Sequence, residues 1–383
     1  MSQNNENKLV PRLRFPEFKN TQAWLLRTLN DVADMYQPKT ISQSEFKDKG
    51  HLVYGANGVI GYYDRYNHET SQIAIACRGS SCGTVNFTEP KSWITGNAMV
   101  VNVDGFKDID KKFMFYQLLV ANFNYLITGS GQPQITGNIK NHKVVLTNLE
   151  EQQKIAACLS SLDDVITAES KKLEVLKEHK KGLLQNLFPQ EGETVPKLRF
   201  KEFENSGEWV SDILKNVFTI FQGFAFSSND SVNDGVRWLK IADVGIQQMN
   251  HLSPSYLPYE FKDKYENFLI KEGDYVIALT RPILNKKLKI SKVDNTLHNS
   301  LLNQRVGKLV SNKCIDFVYY LVQTSNLISR IEQNIAGSEP PNLSAQQIEN
   351  IEVFIPSTKK EQQKIAACLS SIDDLINAQS QKI

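Results

Sequence analysis

The run EQQKIAACLSS stands at 151–161 and again, letter for letter, at 361–371. Eleven identical residues do not recur by chance, so the chain must build one local structure twice. A second repeat precedes each copy. VPRLRFPEF starts at Val10 and VPKLRFKEF at Val195, and each is followed by a tryptophan at matched distance, Trp24 and Trp209. The offset is 185 for this pair of landmarks and 210 for the first pair, so the second copy holds 25 more residues between them. Each copy reads as a leading motif, a variable domain and a shared helix. Two copies make an internal duplication, not a solenoid.

The shared segment predicts a long helix. Ile155, Leu159, Leu162, Ile166, Leu173, Leu176, Leu183 and Leu187 fall on alternating steps of four and three, with Glu169 and Lys180 in the two remaining seats. That is a heptad stripe over more than four heptads, flanked by Lys and Glu and stopped by Pro189. The second copy keeps the phase through Ile365, Leu369, Ile372, Ile376 and Gln379, and reaches Ile383, the equivalent of Leu173. It therefore reads as shortened relative to the first. A helix of ~38 residues is ~57 Å long, more than one small domain can cover. Two such helices separated by a domain predict an antiparallel coiled coil, with Glu169 and Gln379 at the same seam position. The simpler alternative is an amphipathic helix packed on a single domain.

The expected organisation is a disordered tail at 1–9, a first variable domain at 10–148, a first shared helix at 149–188, a linker at 189–194, a second variable domain at 195–358 and a second, shortened shared helix at 359–383. The fold class is α+β: two α/β domains, joined by two long helices that form an antiparallel coiled coil, in a pseudo-two-fold internal repeat. QIAIACRGSSCGTVNF reads as a hairpin, DYVIALTRP and NIEVFIP as strands, and KKFMFYQLLVANFNYLI and DFVYYLVQTSNLISRIEQNI as helices at similar places in each copy. A Gly-Ser loop follows each helix: GSGQPQIT at 129–136 and GSEPPNLS at 337–344. Aligning Gly129 with Gly337 sets Thr136 opposite Ser344, and Ser344 with Gln347 has the form of a capping box.

No catalytic centre is expected. There is no phosphate-binding loop of the Gly-x4-Gly-Lys-Ser/Thr type, and EPPN at 339–342 is a methyltransferase-like tetrapeptide in the wrong order. Asp163 and Asp164 are adjacent and point to different faces of a helix, which argues against a paired acid–base site. The five cysteines are scattered, and Cys77 and Cys82 lack a second pair to complete a zinc site. No metal is expected. No apolar run approaches a membrane span and the start has no signal-peptide core, so a reduced cytoplasmic setting without membrane contact is the expectation.

A net charge of +2 neither announces nor excludes a nucleic-acid partner, since phosphate binding depends on where basic residues cluster. The candidate DNA-contacting residues are Tyr54 and Asn57 in YGANGVIGYY, Arg78, Ser80 and Ser81 in CRGSSCG, and Gln132, Gln134 and Asn138 around the first Gly-Ser loop. In the second copy they are Gln222, then Arg281, Lys286 and Lys287 in TRPILNKKLK, and Gln304 and Arg305 in NQR. Basic side chains suit phosphates, while amides and arginines suit adenine and guanine edges.

Two divergent domains interleaved with two near-identical heptad helices resemble the specificity (S) subunit of Type I restriction–modification systems. The matching residues are LRFPEF…W and LRFKEF…W, EQQKIAACLSSLDD and EQQKIAACLSSIDD, the GLLQNLFPQ tail of the first helix, and the Gly-Ser loops. The resemblance spans essentially the whole chain. It implies that each domain is a target-recognition domain reading one half of a split, non-palindromic site in double-stranded DNA, and that the helices set the unread spacer. It also implies two methyltransferase subunits using S-adenosylmethionine for N6-adenine methylation, and two restriction subunits using ATP with Mg, with no chemistry in this chain. The alternative is a coiled-coil scaffold carrying two protein-binding domains and no DNA.

Overall fold

The computed structural model describes residues 9–129, 131–335 and 340–383. The tail expected at 1–9, apart from Leu9, lies outside the described residues, as do Ser130 and the 336–339 stretch of the second Gly-Ser loop. The chain forms two compact units, one ending at Ala168 and one covering Glu169–Ile383.

The first unit holds a four-stranded antiparallel sheet in the order Asp34–Tyr36, Ala98–Asn102, Ile73–Ala76, Val85–Phe87. A three-stranded sheet sets His51–Gly55 between Gly58–Tyr63 and the parallel strand Trp93–Ile94. The second unit repeats both. Its larger sheet runs Thr219–Gln222, Val306–Val310, Tyr275–Ala278, Ile290–Lys292, and its smaller one sets Val236–Leu239 between Tyr256–Leu257 and Leu301–Leu302. In each unit the strand after the leading motif pairs with the strand before the shared helix: Leu25–Thr28 with Lys143–Leu146, and Val210–Ile213 with Glu352–Ile355.

The central strands IAIA and YVIA are buried throughout, because both their faces are covered. Alternate residues serve different cores. Ile73, Ile75 and Cys77 join one cluster and Ala74 another; Tyr275, Ile277 and Leu279 join one and Val276 and Ala278 another.

Register makes the duplication residue-specific. Ala74 faces Val100 as Val276 faces Lys308, and Val53 faces Trp93 as Trp238 faces Leu301. The offset thus stays at 185 through Tyr54 and Leu239, is 202 at Ala74 and Val276, 208 at Val100 and Lys308, and 210 at Glu151 and Glu361. The largest step falls between the small sheet and the central strand. There the second unit holds the longer connection that carries Tyr256–Leu257 and the helix Phe261–Lys264.

The helices expected from KKFMFYQLLVANFNYLI and DFVYYLVQTSNLISRIEQNI are shorter than their apolar patterns. The first ends at Leu119, and the second divides into Ile315–Leu321 and Ser325–Ile335. Ser344 and Gln347 form the expected capping box.

The two repeated motifs are the two halves of one clamp. The guanidinium of Arg14 donates to both carboxylate oxygens of Glu151 at 2.6 Å, and that of Arg199 donates to both oxygens of Glu361 at 2.7 and 2.9 Å. Trp209 adds its indole N–H to Glu361 at 3.2 Å. Both glutamates are buried, which bidentate arginine pairing makes tolerable. Lys154 pairs with Glu17 and lies over Phe15, as Lys364 pairs with Glu202 and lies over Phe200. The next glutamine ties down the start of the domain's own helix. Gln152 accepts from Asp110 N–H at 3.0 Å, and Gln362 accepts from Cys314 N–H at 3.1 Å. Tyr116 then donates to Asp163 and Tyr320 to Asp373, both at 2.7 Å. Asp163 therefore has a packing role, not only a solvated one.

The shared helices are Leu149–Asn186 and Lys359–Ser380. Within the second unit, Lys180 meets Asp373 at 2.6 Å and Glu169 meets Gln379. As one helix is read backwards the other is read forwards, so the pairing is antiparallel. Leu183, Leu184 and Leu187 pack in the cluster of Ile365, Ala366 and Leu369. Lys180 is buried between Asp373, the Gln247 amide oxygen at 2.7 Å and the Tyr320 ring. The seam expected over the first unit is different. Ile155 is half-buried, but Leu159, Leu162 and Ile166 are exposed, whereas their equivalent Leu369 is fully buried and Ile372 and Ile376 are half-buried. The heptad pattern marks an apolar stripe and does not say what covers it.

Candidate nucleic-acid interface

In each unit one end of the larger sheet gathers three chain segments. In the first, the central strand runs on into Cys77-Arg78-Gly79. The Gly-Ser loop docks there through Ile135 N–H to Cys77 C=O at 3.0 Å and Gly79 N–H to Pro133 C=O at 2.9 Å. The turn before Ala98 closes the third side through Cys77 N–H to Asn97 C=O at 3.0 Å. The second unit makes the same three bonds: Leu343 to Leu279 at 2.7 Å, Arg281 to Pro341 at 2.8 Å and Leu279 to Arg305 at 2.9 Å. The described parts of the two Gly-Ser loops, at Pro133–Ile135 and Pro341–Leu343, are thus matched in space at the offset their sequences suggest.

This junction brings together Arg78, Ser80, Ser81, Gln132 and Gln134 in the first unit, with Asn138 exposed on the turn Gly137–Asn141 that follows. In the second it brings together Gln222, Arg281, Gln304 and Arg305; Gln222 donates to the Gln304 carbonyl at 2.7 Å. Lys286 and Lys287 sit on the hairpin formed by Ile283–Leu284 and Lys287–Leu288. Its turn residues Asn285 and Lys286 both have positive φ, 51° and 57°, as the tight turn favoured in hairpins requires. Arg281, Lys286, Lys287 and Arg305 are exposed, and among the described residues none of them forms an ion pair. Their charge is free to meet an anionic surface.

Asn57 is exposed at the tip of the hairpin between His51–Gly55 and Gly58–Tyr63, and among the described residues no hydrogen bond ties it to the junction. Tyr54 is a core residue. Its ring is 6% exposed among Ala74, Ile94 and Val100, and its hydroxyl accepts from Glu89 N–H at 3.0 Å. Its equivalent in the second unit is the fully buried Leu239, so Tyr54 is withdrawn as a surface contact.

Sequence reasoning missed Gln37 and Asn97. The pairing of Tyr36 with Val100 and of Phe221 with Lys308 makes Gln37 the counterpart of Gln222, and Asn97 that of Arg305. The signal was present: LNDVADMYQ at 29–37 and LKNVFTIFQ at 214–222 keep the offset of the leading motif. Burial pushes the Cys77 thiol up from its ordinary value, so it remains a neutral partner for the Gln37 amide at 2.8 Å. Burial likewise lowers Lys289 at the base of the basic hairpin.

Arg281 has φ +47° where the equivalent Gly79 has φ +81°. A left-handed conformation costs a non-glycine residue ~1–2 kcal/mol. Arg281→Gly should therefore stabilise the protein, by ~0.5–1 kcal/mol after the added entropy of the unfolded chain, as a raised denaturation midpoint. A lowered midpoint would show that the arginine side chain contributes more than its backbone strain costs.

Among the described residues, no group of three or more His, Cys, Asp or Glu side chains is placed to hold a metal ion, and no helix is long and apolar enough to cross a membrane.

The model of the Type I restriction modification DNA specificity domain matches twice, at residues 22–178 and 206–383. The Type I restriction enzyme MjaVIII specificity subunit of Methanocaldococcus jannaschii is 32% identical over 315 residues, 80% of this chain and 73% of that protein. The EcoAI specificity subunit of Escherichia coli is 29% identical over 46% of this chain and 30% of its own length. Among solved structures, the S subunit of a Type I restriction–modification system from M. genitalium aligns over 95% of this chain and 92% of its own, with a TM-score of 0.68 at 15% identity. At that identity the likeness speaks for the fold.

Proposed function

This chain belongs to the Type I restriction–modification DNA specificity family, as a specificity subunit that recognises a DNA target, and we propose that each of its two units reads one half of a split, asymmetric site. The observation that carries the reading is the junction at the sheet end. Both units build it with the same three backbone hydrogen bonds, and the side chains mounted on it differ: Arg78, Asn97 and Gln134 against Thr280, Arg305 and Asn342. A common frame with different polar groups is what two readers of two sequences need. The exposed arginines and lysines hold phosphates, and the amides and arginines contact base edges.

The shared helix acts as the ruler. At 38 residues, Leu149–Asn186 is ~57 Å long. Readers on one face of B-DNA should stand about one helical turn apart, roughly 34–36 Å, or a multiple of it. The helices also dock two methyltransferase subunits, which bring S-adenosylmethionine, and two restriction subunits join them with ATP and Mg. This chain supplies discrimination and no catalytic group. Its net charge of +2 fits partners that provide much of the phosphate contact.

The test is to co-purify the chain with its methyltransferase partner and sequence the methylated adenines. A motif in two unlike halves with a fixed gap is expected. Lengthening both helices by a few residues should change the gap and leave the halves intact. Methylation by this chain alone would make it an enzyme, and assembly without any DNA dependence would make it a scaffold.

A further inference from the structure

The two reading edges differ at almost every exposed position. Gly79 stands where the second unit has Arg281, and Asn97 where it has Arg305. Among the exposed polar side chains at this end, one pair does not differ. Gln37 and Gln222 occupy the same place, immediately after the edge strand of the larger sheet or at its last residue, and each follows a part-exposed aromatic ring. Tyr36 is 39% exposed and Phe221 38%.

Each amide is also held through one N–H, though by partners at non-equivalent positions. Gln37 donates one N–H to Cys77 Sγ at 2.8 Å, and Gln222 donates one to the Gln304 carbonyl at 2.7 Å. Both side chains are exposed, and among the described residues neither amide oxygen has a donor. Each glutamine is therefore anchored through one hydrogen, with its carbonyl oxygen and second N–H left to face outward. That remaining pair is an acceptor beside a donor. It matches the N6 donor and N7 acceptor that adenine shows in the major groove, and no other base offers that pair.

We propose that Gln37 and Gln222 are equivalent specificity residues, each reading an adenine, so that the two otherwise unlike half-sites share one base at the same place relative to their reader. This rests on the reading of the two units as half-site readers. Anchoring is what gives the amide its selectivity. A free glutamine rotates and presents either pattern, whereas one N–H fixed to the sheet end determines which way the carbonyl points.

The experiment is selection of bound sequences from a random DNA library by the chain assembled with its methyltransferase partner. Wild type, Gln37→Glu and Gln222→Glu are compared. Glutamate keeps the shape but only accepts, so it loses both the anchoring N–H and the donor to adenine N7. Gln37→Glu should abolish the preference for A at one position of one half-site, and Gln222→Glu at one position of the other half. Gln37→Ala and Gln222→Ala should relax the same positions, losing roughly 5- to 150-fold discrimination. Thermal melting of each variant assembly separates a folding defect from a change in reading. A folded variant whose selected motif equals the wild-type motif overturns the inference, as does a single variant that alters both halves. A wild-type selection with no split motif overturns the reading of the two units instead.

Discussion

Glu361→Ala should lower the stability of the second unit by ~3–5 kcal/mol, because it strands a buried guanidinium. Arg199 is bound to both oxygens of a glutamate that is 1% exposed, and Trp209 donates to the same carboxylate. Removing the carboxylate leaves Arg199 Nε and Nη2 and the Trp209 indole N–H without their acceptor, with only Nη1 still held by the Gly207 carbonyl, and opens the contact between the leading motif and the helix. For a unit of this size the loss corresponds to roughly 6–20 °C in Tm. Glu202→Ala is the matched control. It removes the partner of Lys364 from the same motif, but both groups are about half exposed, so the effect should stay below about 1 kcal/mol. Equal effects of the two substitutions would refute the clamp.

The first-unit clamp carries a pH signature. Burial pushes the Glu151 carboxyl up, but hydrogen bonds from Arg14 and Thr147 outweigh it and hold the group below its ordinary value. A lowered folded-state pKa contributes stability that is fully present above the ordinary carboxylate range. It is lost as pH falls through the folded value. The stability gap between the wild type and Arg14→Ala, read from denaturant melts, should therefore be largest at neutral pH and shrink as pH falls through the folded value of Glu151.

The helices were legible because a heptad period is local information. Their antiparallel pairing followed from length and from a domain lying between them. What the clamp joins was not legible. Arg14 and Glu151 are 137 residues apart and Arg199 and Glu361 are 162 apart, and each motif by itself looks like a surface feature. The duplication held the clue, since two motifs preserved together in both copies suggest that they touch. Tyr54 was misplaced because VYGANGVIGYY puts aromatic residues on both faces of a hairpin, and composition does not say which face is covered. Comparison with WLK at 238–240 resolves it, as the buried Leu239 stands at the equivalent place. Gln37 was overlooked for a different reason. Attention to glycine-rich and basic loops passed over a strand end, although the offset of 185 runs on to it. The seam residues Leu159, Leu162 and Ile166 show the limit of periodicity, which identifies an apolar stripe but not its cover.

Independent reading by the two units, each through the side chains on its own sheet end, predicts a large effect from exchanging a whole unit. Residues 195–358 can be replaced by the corresponding segment of another family member, provided the new segment brings its own arginine for Glu361 and its own tryptophan. Without them the buried carboxylate loses its partner, and any loss of activity would report folding and not reading. All the second-unit groups proposed to meet DNA travel with the exchange, from Gln222 to Asn342, while Arg78, Gln134 and the shared helices stay. Specific protein–DNA complexes are typically 10³–10⁷ tighter than non-specific ones, so a replaced reader should abandon its old half-site outright. The decisive measurement is the methylated motif of the exchanged protein in complex with the same methyltransferase, beside that of the wild type. One half-site should be replaced, while the other half-site and the spacer stay unchanged. A motif altered in both halves, or in neither, would contradict independent reading.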